Sequence, residues 1–358
     1  MELLYIESDL TKSYKSFKQL ASAAGNVTVY RSLSVLIYTF LTVSIFVVSP
    51  ESYAQSVCSR LFQAEDLMIS VKTMQEISQF NQVEANTVAD PVHRSSIRLH
   101  RDANNRPVKT QKVILIFHGL LNSPKWMKSL EDSGFVAGNN VLNIRLENHQ
   151  ELNRYSLDEV VYSQWLFQAD RAMSLAKELG SEVILVGHST GGVLALSSAF
   201  SNPNTVHNVF LMSPAIKLST PLNFGLRMAN GIGITGKHLE FILRRKFAKY
   251  LSVPGGIEVI ELGNWYQEGA KDIDNFGVKI KPDQKQKISI VDSASDIVVD
   301  TKANEAFINL LRQYPDNFDT SYLSIPKSEK IKHDDVPQNN NSAHEEYVLK
   351  TFNDLIGE

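Results

Sequence analysis

Apolar positions in this chain follow three patterns. There is one long run near the N-terminus, a set of short continuous runs, and helical stripes between them. Val113-Ile114-Leu115-Ile116-Phe117 is apolar at every position, as a strand buried on both faces requires, and His118-Gly119 ends it. Val141 to Leu146, Glu182 to Val186, Val206 to Met212, Ile288 to Val291 and Thr320 to Ile325 are predicted as further strands. Ser156-Leu157-Asp158-Glu159 spells a capping box and predicts a helix from there to about Leu179, with Gly180 as its stop. Gly187 to Gly192 reads as a tight turn, and Val193 to Phe200 as helix until Asn202-Pro203. Ser342-Ala343-His344-Glu345 opens a last helix with Val348, Leu349, Phe352, Leu355 and Ile356 on one face. Strands alternating with helices predict an α/β fold, a mostly parallel sheet covered on both sides.

The ends of this pattern suggest the domain plan. Residues 33 to 48 read LSVLIYTFLTVSIFVV, and no charge occurs between Arg31 and Glu51. The run falls short of the roughly 20 residues that span a bilayer comfortably. It has basic residues before it and the small-x-small pattern Ser52-Tyr53-Ala54 after it, which suits a secretory signal. Residues 1–54 are therefore expected to be a signal or membrane-anchor segment, making the protein exported or held at a membrane through residues 33–48. Residues 55–111 form an N-terminal extension, loosely helical from Val57 to about Asn86. Its polar remainder, with Pro91 and Pro107, reads as an entry loop or edge strand. Residues 112–358 form the α/β domain.

Between Ser213-Pro214 and Lys287 the chain is far longer than a simple connection, which predicts a cap insertion at about 217–285. Leu222, Phe224, Leu226, Met228, Ile232 and Ile234 make it apolar, suited to an acyl chain or to packing on the body. Arg244-Arg245-Lys246 and Lys249 read as a solvated helix face, with an anionic lipid surface as the other reading.

Composition narrows the function. With 358 residues, 43% hydrophobic and 21% charged, the chain is of globular type, and its net charge of -3 argues against a nucleic-acid partner. A single cysteine, Cys58, excludes an intramolecular disulfide and a Cys-based zinc site.

Gly187-His188-Ser189-Thr190-Gly191 matches G-x-S-x-G between a predicted strand and a predicted helix, the context in which a serine becomes an exposed nucleophile. A glycine-rich turn without chemistry would satisfy the five letters alone; the flanking elements favour the nucleophile. Acyl transfer then needs donors for an oxyanion. Thr190 N–H, after the nucleophile, is one candidate. Leu120 N–H, in the loop His118-Gly119-Leu120-Leu121-Asn122, is the other. His118 reads as a loop-shaping hydrogen bonder rather than a metal ligand, and His149 as a pocket-lining candidate.

The acid should follow the serine and precede the histidine. Asp296 is preferred in Asp292-Ser293-Ala294-Ser295-Asp296, since it ends the turn before an apolar run. Asp292 is second and Asp300 third, and Asp296 would also serve as a helix N-cap. His333, in a loop, is favoured as base over His344, which lies in the first turn of the last helix.

HGLLNSP, GHSTGG, DSASDIVV and KHDDVP occur in the order seen in the α/β-hydrolase superfamily. From Lys112 to Ile356 the chain resembles its small carboxylesterase and monoacylglycerol-lipase-like branch. The resemblance implies Ser189, Asp296 and His333 as a triad, Leu120 and Thr190 as oxyanion donors, a small-molecule or lipid ester as substrate, and no cofactor. Two features depart from the pattern. The interval from Asp296 to His333 is long, which keeps His344 open as base, and the residues before Lys112 match no part of it. A thioesterase, an acyltransferase or a catalytically silent binding module of the same fold would share these motifs.

Overall fold

Among the described residues, one seven-stranded sheet carries the fold, in the order β1-β3-β2-β4-β5-β6-β7. The computed structural model describes residues 68–153, 155–238, 252–270, 285–338 and 342–357. The apolar run at 33–48 and the basic cluster at 244–249 lie outside them. The strands are β1 (Ser96–Arg98), β2 (Thr110–Phe117), β3 (Asn140–Ile144), β4 (Gly180–His188), β5 (Val206–Met212), β6 (Gln286–Ser293) and β7 (Phe318–Ile325). Every pairing is parallel except β1 with β3, where Ile97 faces Leu142. The α/β fold expected from the alternation is the one observed, and residues 87–111 do supply an edge strand.

The unbroken apolar run in β2 explains the layers. Val113, Leu115 and Phe117 join the core on one face, with Trp165, Leu194 and Leu262. Ile114 and Ile116 join the core on the other, with Met127, Leu130 and Phe352. Successive side chains of a strand point to opposite faces, so only a continuous run fills both. The covering helices are α1 (Val71–Thr87), α2 (Lys128–Val136), α3 (Tyr162–Leu179), α4 (Thr190–Ser201), α5 (Thr220–Gly231), α6 (Val253–Ala270), α7 (Thr301–Leu311) and α8 (Lys350–Gly357). Helices α5 and α6 occupy the insertion between β5 and β6. Among the described residues, no helix is long and apolar enough to cross a membrane.

Helix α1 comes from the extension before Lys112. Ser70 caps it, its side chain accepting from Thr73 N–H at 3.0 Å. At its far end Glu84 is buried and pairs with Arg145 just beyond β3, Oε1 to Nη2 at 2.7 Å. Ser95 N–H donates to the same carboxylate at 2.7 Å. A buried ion pair must be fully hydrogen-bonded to be tolerated, and Arg145 also donates to the carbonyls of Leu146 and His149.

Two expectations about α3 need correction. Ser156–Asp158 form a single 3-10 turn, and the helix starts only at Tyr162. The Ser156 hydroxyl donates to Asn148 O at 2.8 Å and so is not a cap; Gln164 instead accepts from Val161 N–H at 2.8 Å. Gly180 is extended, with φ -162, so α3 passes directly into β4 rather than through a left-handed stop.

Candidate active site

Strands β2 and β3 are laid down outward, and the chain then returns to place β4 on the other side of β2. In parallel sheets the crevice at the carboxyl ends of such strands is where ligands bind. The β2 exit is His118-Gly119-Leu120, and the β4 exit is Ser189.

Ser189 has φ 54 and ψ -118, a conformation that non-glycine residues rarely adopt. The surroundings hold it there. Its N–H donates to Met212 O at 3.0 Å, and its carbonyl accepts from Gly192 N–H and Ala215 N–H, each at 2.9 Å. The flanking glycines are required by close approach. A Cβ at Gly191 would collide with the carbonyl oxygens of Phe117 and His118, and one at Gly187 with the backbone of Gly191 and Gly192. Helix α4 begins at Thr190, so the turn is as tight as the motif demands.

The structure brings Asp296 and His333 together: His333 Nδ1 donates to Asp296 Oδ2 at 2.7 Å, and both side chains are buried. This fixes the ring tautomer and leaves Nε2 as the acceptor. Burial works to raise the Asp296 pKa. The hydrogen bond and charge of His333, with the N–H groups of Val298 and Val299, outweigh it and hold the carboxyl below its ordinary value. The helix N-cap role expected of Asp296 is not observed; α7 starts at Thr301 with Asp300 at its N-cap, and Asp296 caps the two N–H groups of its own turn.

His188 ties this pair to the elbow. Its Nε2 donates to the backbone carbonyl of His333 at 3.1 Å, its Nδ1 accepts from Asn122 Nδ2 at 3.4 Å, and the two imidazoles lie 4.8 Å apart. Burial, then the charge of His333, pushes the His188 pKa down to about 3, so the ring is neutral and keeps both bonds at any ordinary pH. The sequence pattern assigned no role in the site to His188 or Asn122. The available signal was position: His188 immediately precedes the serine. Ser189 Oγ makes no hydrogen bond with another described residue; the elbow and the Asp296–His333 pair are linked through His188.

Leu120 and Thr190 flank the serine from the two strand exits. Neither of their N–H groups donates to another described residue. The Leu120 loop is fixed by His118, which donates from Nδ1 to Gly119 O at 2.8 Å and accepts from Leu146 N–H at Nε2 at 3.0 Å. Burial drives its pKa well down, so it stays neutral and both nitrogens serve the backbone. His149 lines a small pocket with Leu121 and Gln150.

The other candidates fall elsewhere. His344 is buried, Nδ1 donating to Val336 O at 2.9 Å and Nε2 accepting from Ser129 Oγ at 3.0 Å, which fastens the C-terminal π-helical turn (His344–Leu349) to α2. Asp300 pairs with Lys217. Asp292 is fully buried among Asn304 and Tyr322. Among the described residues, no group of three or more His, Cys, Asp or Glu is placed to hold a metal.

The sheet order and the strand-to-helix elbow at Ser189 give this chain the α/β-hydrolase fold. Solved structures share that fold. A metagenome-derived lipolytic enzyme aligns with 74% of this chain and 98% of its own, at 18% identity and a TM-score of 0.53. The Paleococcus ferrophilus monoacylglycerol lipase does so over 74% and 98%, at 16% identity and a TM-score of 0.50. A family model described as "Putative esterase" matches residues 168–309, a span that holds the elbow and Asp296. No curated protein sequence matches the chain.

Proposed function

We propose that this protein is a serine hydrolase that cleaves carboxylic esters, of the carboxylesterase or acylglycerol-lipase type. The observation that carries the reading is the strained Ser189 at the head of α4, with Asp296 and His333 paired at 2.7 Å in the chain order Ser, Asp, His. Ser189 Oγ attacks the acyl carbonyl carbon, and His333 Nε2 takes its proton. Leu120 and Thr190 N–H bind the oxyanion, and the intermediate expels the alcohol, which leaves with the proton from His333. Water repeats the sequence and releases the acid. Asp296 holds the imidazole and stabilises its charged form. Each oxyanion donor in such a site is worth roughly 100- to 1,000-fold in rate. The match to the esterase family favours an oxygen ester over a thioester, and the apolar side chains of Phe224 and Met228, exposed on α5, favour an acyl chain.

A fluorophosphonate probe tests the chemistry. Labelling is expected at Ser189, located by mass spectrometry, and is expected to vanish in Ser189→Ala. A folded protein that stays unlabelled would leave a silent binding module. A p-nitrophenyl ester series, run beside acyl thioesters, then sets chain length and leaving group. Export or anchoring through residues 33–48 is part of the same proposal. It predicts protein outside the cytoplasm or in the carbonate-resistant membrane fraction.

A further inference from the structure

Asp292 lies four residues before Asp296, at the end of β6, and its side chain is fully buried. Asn304 Nδ2 on α7 donates to both of its oxygens at 3.2 Å, and Tyr322 OH on β7 donates to Oδ2 at 3.0 Å. The next residue, Ser293, donates through its hydroxyl to Ile331 O, in the loop that carries His333. Asp292 therefore sits where the strand, the acid turn and the base loop are stitched together.

Both of its partners have a second option. Asn304 Oδ1 is buried with no hydrogen-bond partner among the described residues, so a half-turn of the amide would present an acceptor to a protonated Asp292. Tyr322 OH also lies 3.3 Å from Thr301 O, an acceptor it can use when Asp292 no longer needs its proton. A buried polar group is costly when unsatisfied. This one is satisfied whether it carries a proton or not.

Resting on the hydrolase reading above, we propose that Asp292 is a positioning residue with two built-in protonation states, which tunes His333 as a base through the charge it places beside the Asp296–His333 pair. Burial, against the bonds from Asn304 and Tyr322, with the charge of Asp296 raising and that of His333 lowering, pushes the Asp292 pKa up to about 7. The charged and titratable groups that bear on it are Asp296 in the acid turn, His333 in the base loop, and Tyr322 on β7, with Glu305 on α7 acting on Tyr322. The two carboxyls of one turn are thereby driven apart: Asp296 stays ionised, and Asp292 changes charge near neutrality. A second negative charge favours the imidazolium that forms when Ser189 is deprotonated.

The test is the pH dependence of kcat/KM for a short-chain p-nitrophenyl ester, with wild-type, Asp292→Asn and Tyr322→Phe proteins. The wild type is expected to rise in two steps, the later near pH 7. Asp292→Asn is expected to lose that step and plateau about 3- to 10-fold lower, the effect of a charge worth roughly 1 kcal/mol. Tyr322→Phe, lacking one donor to the carboxylate, is expected to move the step to higher pH. Carbon-13 NMR of the aspartate carboxyls and histidine rings in Ser189→Ala reads the coupling without turnover. The His333 signals should follow the Asp292 titration, and stop doing so when Asp292→Asn is added. Coupling by NMR in a protein that never labels at Ser189 would sink the hydrolase reading and leave Asp292 in place. An unchanged profile in Asp292→Asn overturns the proposal. If that variant does not fold, an unmoved step in Tyr322→Phe does so.

Discussion

His188 occupies the variable position before the serine, yet its two ring nitrogens join three parts of the site: the elbow, the Asn122 loop and the His333 backbone. Replacing it by Ala removes the donor to His333 O without touching Ser189, Asp296 or Leu120. A misplacement of about 1 Å in such a site costs on the order of 100-fold. His188→Ala is therefore expected to cut kcat by about 10- to 100-fold with a smaller change in KM, as steady-state kinetics would show; an unchanged kcat would mean the backbone alone aligns the base. Gly191→Ala is a harsher change at the same turn. The new methyl meets backbone oxygens that cannot move aside, and thermal melting should show a loss of more than about 2 kcal/mol. The site was partly legible at this scale. The elbow at Ser189 declares itself by its glycines, and Asp296, found paired with His333, by ending its turn. His188 does not, because the group it bonds is a main-chain carbonyl 145 residues away, and no local pattern encodes that distance. His344 competed with His333 because a helix-capping position and a loop look alike until the ring's partners are known.

At the scale of elements, strands were read more reliably than helix starts. Val113 to Phe117 is apolar because both faces are covered, so the pattern and the cause coincide. The capping box at Ser156 had the right letters, but a carbonyl at Asn148 took the hydroxyl. Helix α1 offered no signal for its role: Glu84 is one acid among several polar residues, and only the fold brings Arg145 to it. Removing one partner of a buried pair leaves an uncompensated charge. Glu84→Ala is expected to cost about 3 kcal/mol in chemical denaturation, more than the double change with Arg145→Met. Equal losses in the two would show that Arg145 is satisfied by Glu151 and carbonyls alone.

For the molecule as a whole, the two carboxyls of one turn act on stability in opposite directions. Asp296, held below its ordinary pKa, contributes stability that is present above its unfolded value and lost as pH falls through the folded one. Asp292, raised from 3.8 to about 7, does the reverse: stability is lost as pH rises across that window. Melting temperatures from pH 4 to 8 should show Asp292→Asn gaining on wild type through the window and levelling off above it; a constant difference would mean that Asp292 ionises normally.

The distribution of parts along the chain has a further consequence. On the function proposed above, the nucleophile Ser189 lies in the middle, Asp296 and His333 follow much later, and the final helix packs into the core through Phe352, Leu355 and Ile356. When Ser189 first leaves the ribosome, Asp296 and His333 have yet to be made. On that reading the serine stays inert until the residues around His333 have been added and packed.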